Sequence, residues 1–148
     1  MADDRPVQSY ANHRRYYPLF HFVTIPILVL NVIARIVFAW KHWPARMPLW
    51  DVVVAAILVA LAFTLRIMIL TVQNRVIRLE ERLRLMNLLP EEMRGRVGEL
   101  STSQLIAMRF CSDDEVPELA RCILAGEVKG NDEIKRRVKN WRADWLRA

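Results

Sequence analysis

The sequence predicts an all-α protein, a two-helix transmembrane hairpin whose long second helix continues into a small cytoplasmic helical region. Three observations predict it. Residues 16–71 hold only five charged side chains in 56 positions (Arg35, Lys41, Arg46, Asp51, Arg66), whereas residues 72–148 hold 28 in 77. Two apolar runs of 23 residues each lie in the first of these stretches, and a helix crossing a ~30 Å hydrocarbon core needs about 20 residues. In the second stretch, apolar side chains recur at helical spacing between caps and breakers. The averages, 53% hydrophobic and 26% charged over 148 residues, conceal this boundary. They do exclude a disordered chain, while two cysteines exclude a disulfide scaffold and four glycines, all after position 94, exclude a glycine-rich phosphate loop.

Residues 1–17, MADDRPVQSYANHRRYY, form a polar arm of mixed charge. A cleaved signal peptide has a basic start, a short apolar stretch and small residues at the cleavage site. None of these fits, so the first apolar helix is expected to stay in place. That helix is 18–40, PLFHFVTIPILVLNVIARIVFAW, and the second is 49–71, LWDVVVAAILVALAFTLRIMILT. The connection KHWPARMP holds two prolines and is too short for a domain, which makes the helices antiparallel neighbours.

Lys and Arg near helix ends set orientation. Arg5, Arg14 and Arg15 precede the first helix, and Arg75, Arg78, Arg82 and Arg84 follow the second, against Lys41 and Arg46 in the connection. Both termini are therefore expected on the cytoplasmic side. Trp40, Trp43 and Trp50 gather at the loop end and Tyr16 and Tyr17 at the other, the positions where amphipathic rings anchor a span.

Asn31, Arg35, Asp51 and Arg66 fall within the spans. Arg35 lies five residues before Trp40 and Asp51 opens the second helix at comparable depth, so the two can pair; an ion site, a clasp between helices and separate snorkelling are the readings of that pair. Arg66 is close enough to Thr71 to snorkel, and Asn31 is expected to hydrogen-bond across helices. His21 has the chemistry of a haem or pigment ligand, but it lies about one turn inside the interface with no second His at its depth. It reads as a hydrogen-bonded interface residue, and no cofactor or metal is expected.

Beyond Thr71 no breaker occurs before Pro90, so the second helix is expected to extend over 72–89. Ile69, Val72, Val76, Leu79, Leu83 and Met86 recur at 3, 4, 3, 4, 3, a heptad seam of about two and a half heptads, short of the length that argues for a coiled coil. It is therefore expected to pack against the chain's own C-terminal helices, with a partner interface as the alternative. Glu80 with Arg84 and Arg78 with Glu81 are expected to pair along the exposed face. Residues 90–148 then read as a small helical domain. Pro90, Glu91 and Glu92 open a turn that ends near Gly95 to Gly98, and Ser101 to Gln104 is a capping box. Ser112, with Asp113, Asp114 and Glu115, is expected to cap a helix whose stripe Val116, Leu119, Ala120, Ile123 and Leu124 stops at Gly126. A last helix starts at Asn131, with Ile134, Val138, Trp141 and Trp145 on one face and Lys135, Lys139 and Arg142 beside them as a lipid or partner surface.

Reactive constellations are absent from the sequence. Cys111 and Cys122 have no neighbouring His, and Cys122 falls in an apolar stripe. The acids Asp113, Asp114, Glu115 and Glu118 are accounted for by a helix N-terminus. No Walker loop, serine elbow or H-E-x-x-H string occurs. Residues 72–148 carry 15 basic and 13 acidic side chains, a net +2, which is not the footprint of a nucleic-acid module. An enzyme is not expected, nor a small-molecule substrate.

Four strings, NHRRYYPLFHF at 12–22, QNRVIRLEERLRL at 73–85, SQLIAMRFCSDDEVPEL at 103–119 and IKRRVKNWRADWLR at 134–147, resemble a family of small bacterial membrane proteins of unknown function, DUF6526. Cys111 stands where the resemblance implies Ala. The resemblance implies two membrane helices followed by a cytoplasmic helical region, in the bacterial inner membrane, and brings no catalytic residue. Two functions are in view: a non-enzymatic accessory or scaffold subunit of a larger membrane complex, of respiratory or photosynthetic type, with membrane lipids and other subunits as partners; or a free-standing adaptor that holds a cytoplasmic protein or anionic lipid through its C-terminal helices.

Overall fold

A computed structural model describes residues 8–12 and 16–144. Those residues are helical, with no strand among them beyond a single bridge between Cys111 and Trp141. They divide into two compact units, one of residues 16–70 and the other of the N-terminal residues together with 71 onward.

The 16–70 unit begins with a π-helical stretch, Leu19–Thr24, that runs into α1, Ile25–Lys41. Its cause is local. Pro26 has no N–H to continue the i→i−4 ladder and its ring crowds the carbonyl four residues back, so the turn ahead of it widens. The Ile25 N–H bonds the Phe20 carbonyl and the Thr24 hydroxyl donates to the Leu19 carbonyl at 3.0 Å, both in the i→i−5 register. After a connection containing a cis Trp43–Pro44 peptide, α2 runs without a break from Met47 to Leu88, about 63 Å at helical rise. Both apolar helices, Leu19–Lys41 and Met47–Leu88, are long and apolar enough to cross a membrane, and very little of either apolar window is buried.

The other unit is built on the last turns of α2. Pro90 stops that helix and starts the short α3, Glu91–Arg94, followed by a 3-10 turn, Val97–Glu99. Helix α4, Thr102–Met108, opens on the expected capping box: the Gln104 N–H donates to Ser101 Oγ at 3.2 Å and the Ser101 N–H to Gln104 Oε1 at 2.8 Å. Helix α5, Val116–Leu124, ends as expected at Gly126, whose φ of 78° is the left-handed conformation that costs glycine least. The Glu127 N–H then reaches the Cys122 carbonyl at 3.0 Å and the Gly126 N–H the Ile123 carbonyl at 3.0 Å, closing a Schellman motif. Helix α6, Asn131–Arg137, packs against α4.

One core joins these pieces. Leu85 from α2 and Leu89 just beyond its end meet Leu105 and Met108 from α4, Val116 and Ala120 from α5, and Ile134 from α6, all fully or almost fully buried. The apolar stripe expected on α5 supplies its share through Val116, Leu119, Ala120 and Ile123.

Two expectations fail here. Helix α6 stops at Arg137 instead of carrying its stripe through Trp141, because Val138 is extended and the next residues find other partners. The Lys139 and Asn140 N–H groups donate to the Glu115 carboxylate at 3.1 and 3.0 Å, and the Asn140 side chain joins them at 2.6 Å. The chain then runs beside the segment after α4, with Ser112 N–H to Asn140 O at 3.1 Å and Arg142 N–H to Phe110 O at 2.7 Å. Trp141 lies on Phe110 at 4.9 Å between ring centres. Trp145 lies outside the described residues. The second failure concerns the α5 cap: the residue at that position is Glu115, not Ser112, and it makes no side-chain bond to α5. Its carboxylate is the acceptor for the 139–140 segment just described.

Candidate functional site

The richest constellation of charge lies within the 71–144 stretch. Arg84, on α2, is nearly buried and spreads its guanidinium over Glu81 of its own helix and the segment between α4 and α5. Nη1 meets the Glu81 carboxylate at 3.1 Å; Nε meets Asp113 Oδ1 at 2.8 Å; Nη2 donates to the same oxygen at 2.6 Å and to the Cys111 carbonyl at 2.5 Å. The expected surface pair of Arg84 with Glu80 is thus replaced by an inward one. Burial pushes the Glu81 carboxyl up from its ordinary value, and the neighbouring Arg84 guanidinium opposes that rise. Nearby, buried Arg109 donates to Asp144 Oδ2 at 2.8 Å and lies 4.1 Å over the Phe110 ring. The Asp144 N–H in turn donates to Gln8 Oε1 at 2.8 Å, which ties the N-terminal residues to this unit. Glu81, Arg84, Arg109, Asp113 and Asp144, with Gln73, Asn87 and Arg142, line a groove of about 730 Å³.

Helix α2 presents two different stripes beyond Thr71. At about 100° per residue, Ile77, Glu81 and Leu85 lie on the side opposite Val72, Val76, Leu79, Leu83 and Met86. The first set is buried against the core. The second, the predicted partner interface, is exposed: Val72 60%, Val76 49%, Leu79 61%, Leu83 60% and Met86 46%. The heptad seam is therefore not what packs against the chain's own C-terminal helices.

A model of a family of unknown function, DUF6526, matches residues 4–148, almost the entire chain. The chain belongs to the DUF6526 family. Among curated proteins and solved structures, no match is found.

In this DUF6526 chain the residues expected to sit in or beside the two spans all fall in the 16–70 unit. Arg35 Nη1 donates to Asp51 Oδ2 at 3.2 Å, with both side chains about half exposed. Arg66 lies over the Phe20 ring at 5.6 Å rather than reaching outward alone. The Phe20 and Phe63 rings meet edge to face at 6.3 Å. His21 shares a local hydrogen bond with Tyr17, Nδ1 to the carbonyl at 3.0 Å, and is flanked by the Tyr16 and Phe20 rings. Tyr16, Tyr17, Trp40, Trp43 and Trp50 are all at least half exposed. The hydrogen bond expected of Asn31 across helices is not formed among the described residues.

The C-terminal trio Lys135, Lys139 and Arg142 does not make one helical stripe. Only Lys135 is in α6, and it is almost buried, with Nζ 3.9 Å from Asp132; Lys139 and Arg142 lie on the extended segment that follows. The three do not share one helix face, although Lys139 and Arg142 are exposed. Both cysteines are free thiols. Cys111 is fully buried, and burial, with the Glu115 carboxylate beside it, pushes its thiol up to about 12, which removes nucleophilic character at neutral pH. Desolvation and the Glu127 and Glu118 carboxylates raise Cys122 as well. Among the described residues, no three His, Cys, Asp or Glu side chains come together to hold a metal.

Sequence reading missed the network of Glu81, Arg84, Asp113, Arg109 and Asp144. A signal for part of it existed: Ile77 and Leu85 on α2, continued by Leu89 just beyond its end, trace a second apolar stripe, and Glu81 sits between Ile77 and Leu85. For Asp113 and Asp144, whose partners are 29 and 35 residues away, no local signal exists.

Proposed function

We propose that this chain is a non-enzymatic integral membrane protein that serves as an accessory or scaffold subunit of a larger bacterial membrane complex. The observation that carries the reading is the disposition of α2, one helix with an apolar stretch at 49–70, a face bound into its own core through Ile77, Glu81 and Leu85, and an apolar face left open from Val72 to Met86. Such a helix joins an anchor to a docking surface.

Several features support the anchor. Ile27, Leu30, Ile36, Ile57, Leu61 and Ile67 are each more than half exposed, and in water every such side chain left unburied forgoes about 1.5–3 kcal/mol. Lipid removes that cost. The contacts of Arg35 with Asp51 and of Phe20 with Phe63 pair early residues of one helix with late residues of the other, as an antiparallel hairpin does. Gln8 and Asp144, which precede and follow the apolar stretch, are bonded within one unit, which supports two crossings that return the chain to the side it left. The excess of Arg on that side supports a cytoplasmic placement of it, in the inner membrane of a bacterium.

Native electrophoresis of the full chain after mild solubilisation, with the band's components identified by mass, tests the reading. Co-migration with other subunits is expected. Migration alone, as one or two copies of this chain at every detergent strength, overturns it. A reporter placed at Ala45 is expected outside the cytoplasm, and a cytoplasmic signal overturns the orientation.

A further inference from the structure

The open seam on α2 has the residues of a specific partner written along it. With Val76 and Leu83 at heptad position a, the d positions are Val72, Leu79 and Met86, the e positions Gln73, Glu80 and Asn87, and the g positions Arg75, Arg82 and Leu89. Leu89 is buried in the chain's own core, so the seam closes at Met86. In a parallel pair, each g residue faces the e residue five positions later on the other strand. Arg75 then meets Glu80 of a second copy, and Arg82 meets Asn87. In an antiparallel pair g faces g, which sets the arginines against each other. Arg75 and Glu80 are both exposed and form no ion pair among the described residues, and the Arg82 Nε has no hydrogen-bond partner among them. At the middle of the seam a β-branched residue at a, Val76, stands beside Leu at d, Leu79, the combination that suits two strands, while Leu83 at the next a does not share it.

We infer that the Val72–Met86 face of α2 is the interface with a second copy of this chain, formed as a short parallel two-stranded coiled coil with Arg75 of each copy paired to Glu80 of the other. The parallel sense rests on the membrane-anchor reading above, since two copies inserted alike into one bilayer have parallel second helices. The same anchoring makes so short a seam effective. Two heptads in free solution are marginal because helix pairing must offset the full entropy of association; confinement in one membrane raises the effective concentration and reduces that cost.

Oxidative cross-linking of the full chain in its native membrane tests this. In a Cys122→Ser background, with buried Cys111 left in place, Leu79→Cys and Met86→Cys are expected to give a disulfide-linked product of twice the chain mass. Arg78→Cys, one position away on the helix, is expected to give little. Arg75→Glu is expected to lower the Leu79→Cys product by about fivefold, the effect of reversing two symmetric pairs, and Arg75→Glu with Glu80→Arg to restore it. Equal yield at Arg78→Cys and Leu79→Cys, or failure of the double reversal to restore what the single removes, overturns the proposal. A seam product with a protein of another mass, and none with itself, also overturns it while leaving the scaffold reading intact; the electrophoresis above judges that reading separately.

Discussion

The two units of the molecule use leucine, isoleucine and valine in opposite ways. In residues 16–70 most of these side chains are exposed, a few such as Leu28, Val32 and Val59 are half-buried, and Ala39, Pro48 and Ala55 are the buried residues there. In the 71–144 stretch, Leu85, Leu89, Leu105, Val116 and Ile134 close a core in which several side chains have no exposed surface at all. Charge is inverted in the same sense. The Arg35–Asp51 pair is half exposed although its surroundings are apolar, whereas Arg84, Glu81 and Arg109 are interior although their unit is rich in surface charge. A composition average therefore misleads twice. Apolar content is highest where there is least core, and the interior charges lie in the polar half.

The strongest way to break that comparison is at Arg84. Arg84→Ala leaves Glu81 interior without its cation and frees the Cys111 carbonyl and Asp113, so a loss of about 3–5 kcal/mol is expected in chemical denaturation of the full chain in detergent. Next comes a matched pair of leucines. Leu85→Ala, at a site with no exposure, is expected to cost about 2–5 kcal/mol. Leu61→Ala, 51% exposed, is expected to change stability by about 0.5 kcal/mol or less. Equal losses at the two would mean that the 16–70 unit carries a packed interior of its own.

Glu115→Ala ranks third, at about 1–3 kcal/mol, because it strips the acceptor from two backbone N–H groups and the Asn140 amide at once. The same residue shows where sequence reading reaches its limit. Capping at Ser101, the stop at Gly126, the break at Pro90 and the core stripe of α5 were all legible, because each is decided within four or five residues. The length and apolarity of the two long helices were legible too. The end of α6 was not: Ile134, Val138 and Trp141 keep a helical period, and what breaks the helix is a carboxylate 24 residues earlier. The heptad seam was legible as a period but not as an open face, since α2 carries two apolar stripes and spacing alone does not say which one the core takes. Ile77, Glu81 and Leu85 took the core, with a charged residue in the middle.

Glu81 also gives the comparison a pH dependence. Its carboxyl is raised in the folded unit above the ordinary 4.5, so the folded form takes up a proton before the unfolded chain does. Its contribution to stability is therefore present in full below the unfolded value and is lost as pH rises through the folded one. Between pH 7 and about 4.5, Glu81→Gln is expected to remove a gain in stability that the unaltered chain shows on acidification, once the shared response of other carboxylates is subtracted. Parallel curves for the two proteins across that interval would mean that Arg84 holds Glu81 ionised throughout.

The smallest expected effect sharpens the comparison most on the side of the 16–70 unit. Arg35 and Asp51 meet at 3.2 Å with about half of each side chain exposed, and an ion pair so exposed to water is worth about 0–1 kcal/mol. Lipid in place of water changes the arithmetic, because the attraction between charges rises as the dielectric falls and removal of one partner leaves the other poorly solvated. A double-mutant cycle with Arg35→Gln and Asp51→Asn separates the cases through the coupling energy, which excludes what each substitution does alone. On the anchor reading proposed above, in which Trp40 and Trp50 lie at an aqueous interface, coupling below about 1 kcal/mol is expected in both micelles and bilayers. Coupling of several kcal/mol that appears only in bilayers would put the pair deep in hydrocarbon and make it the clasp on which the two apolar helices depend.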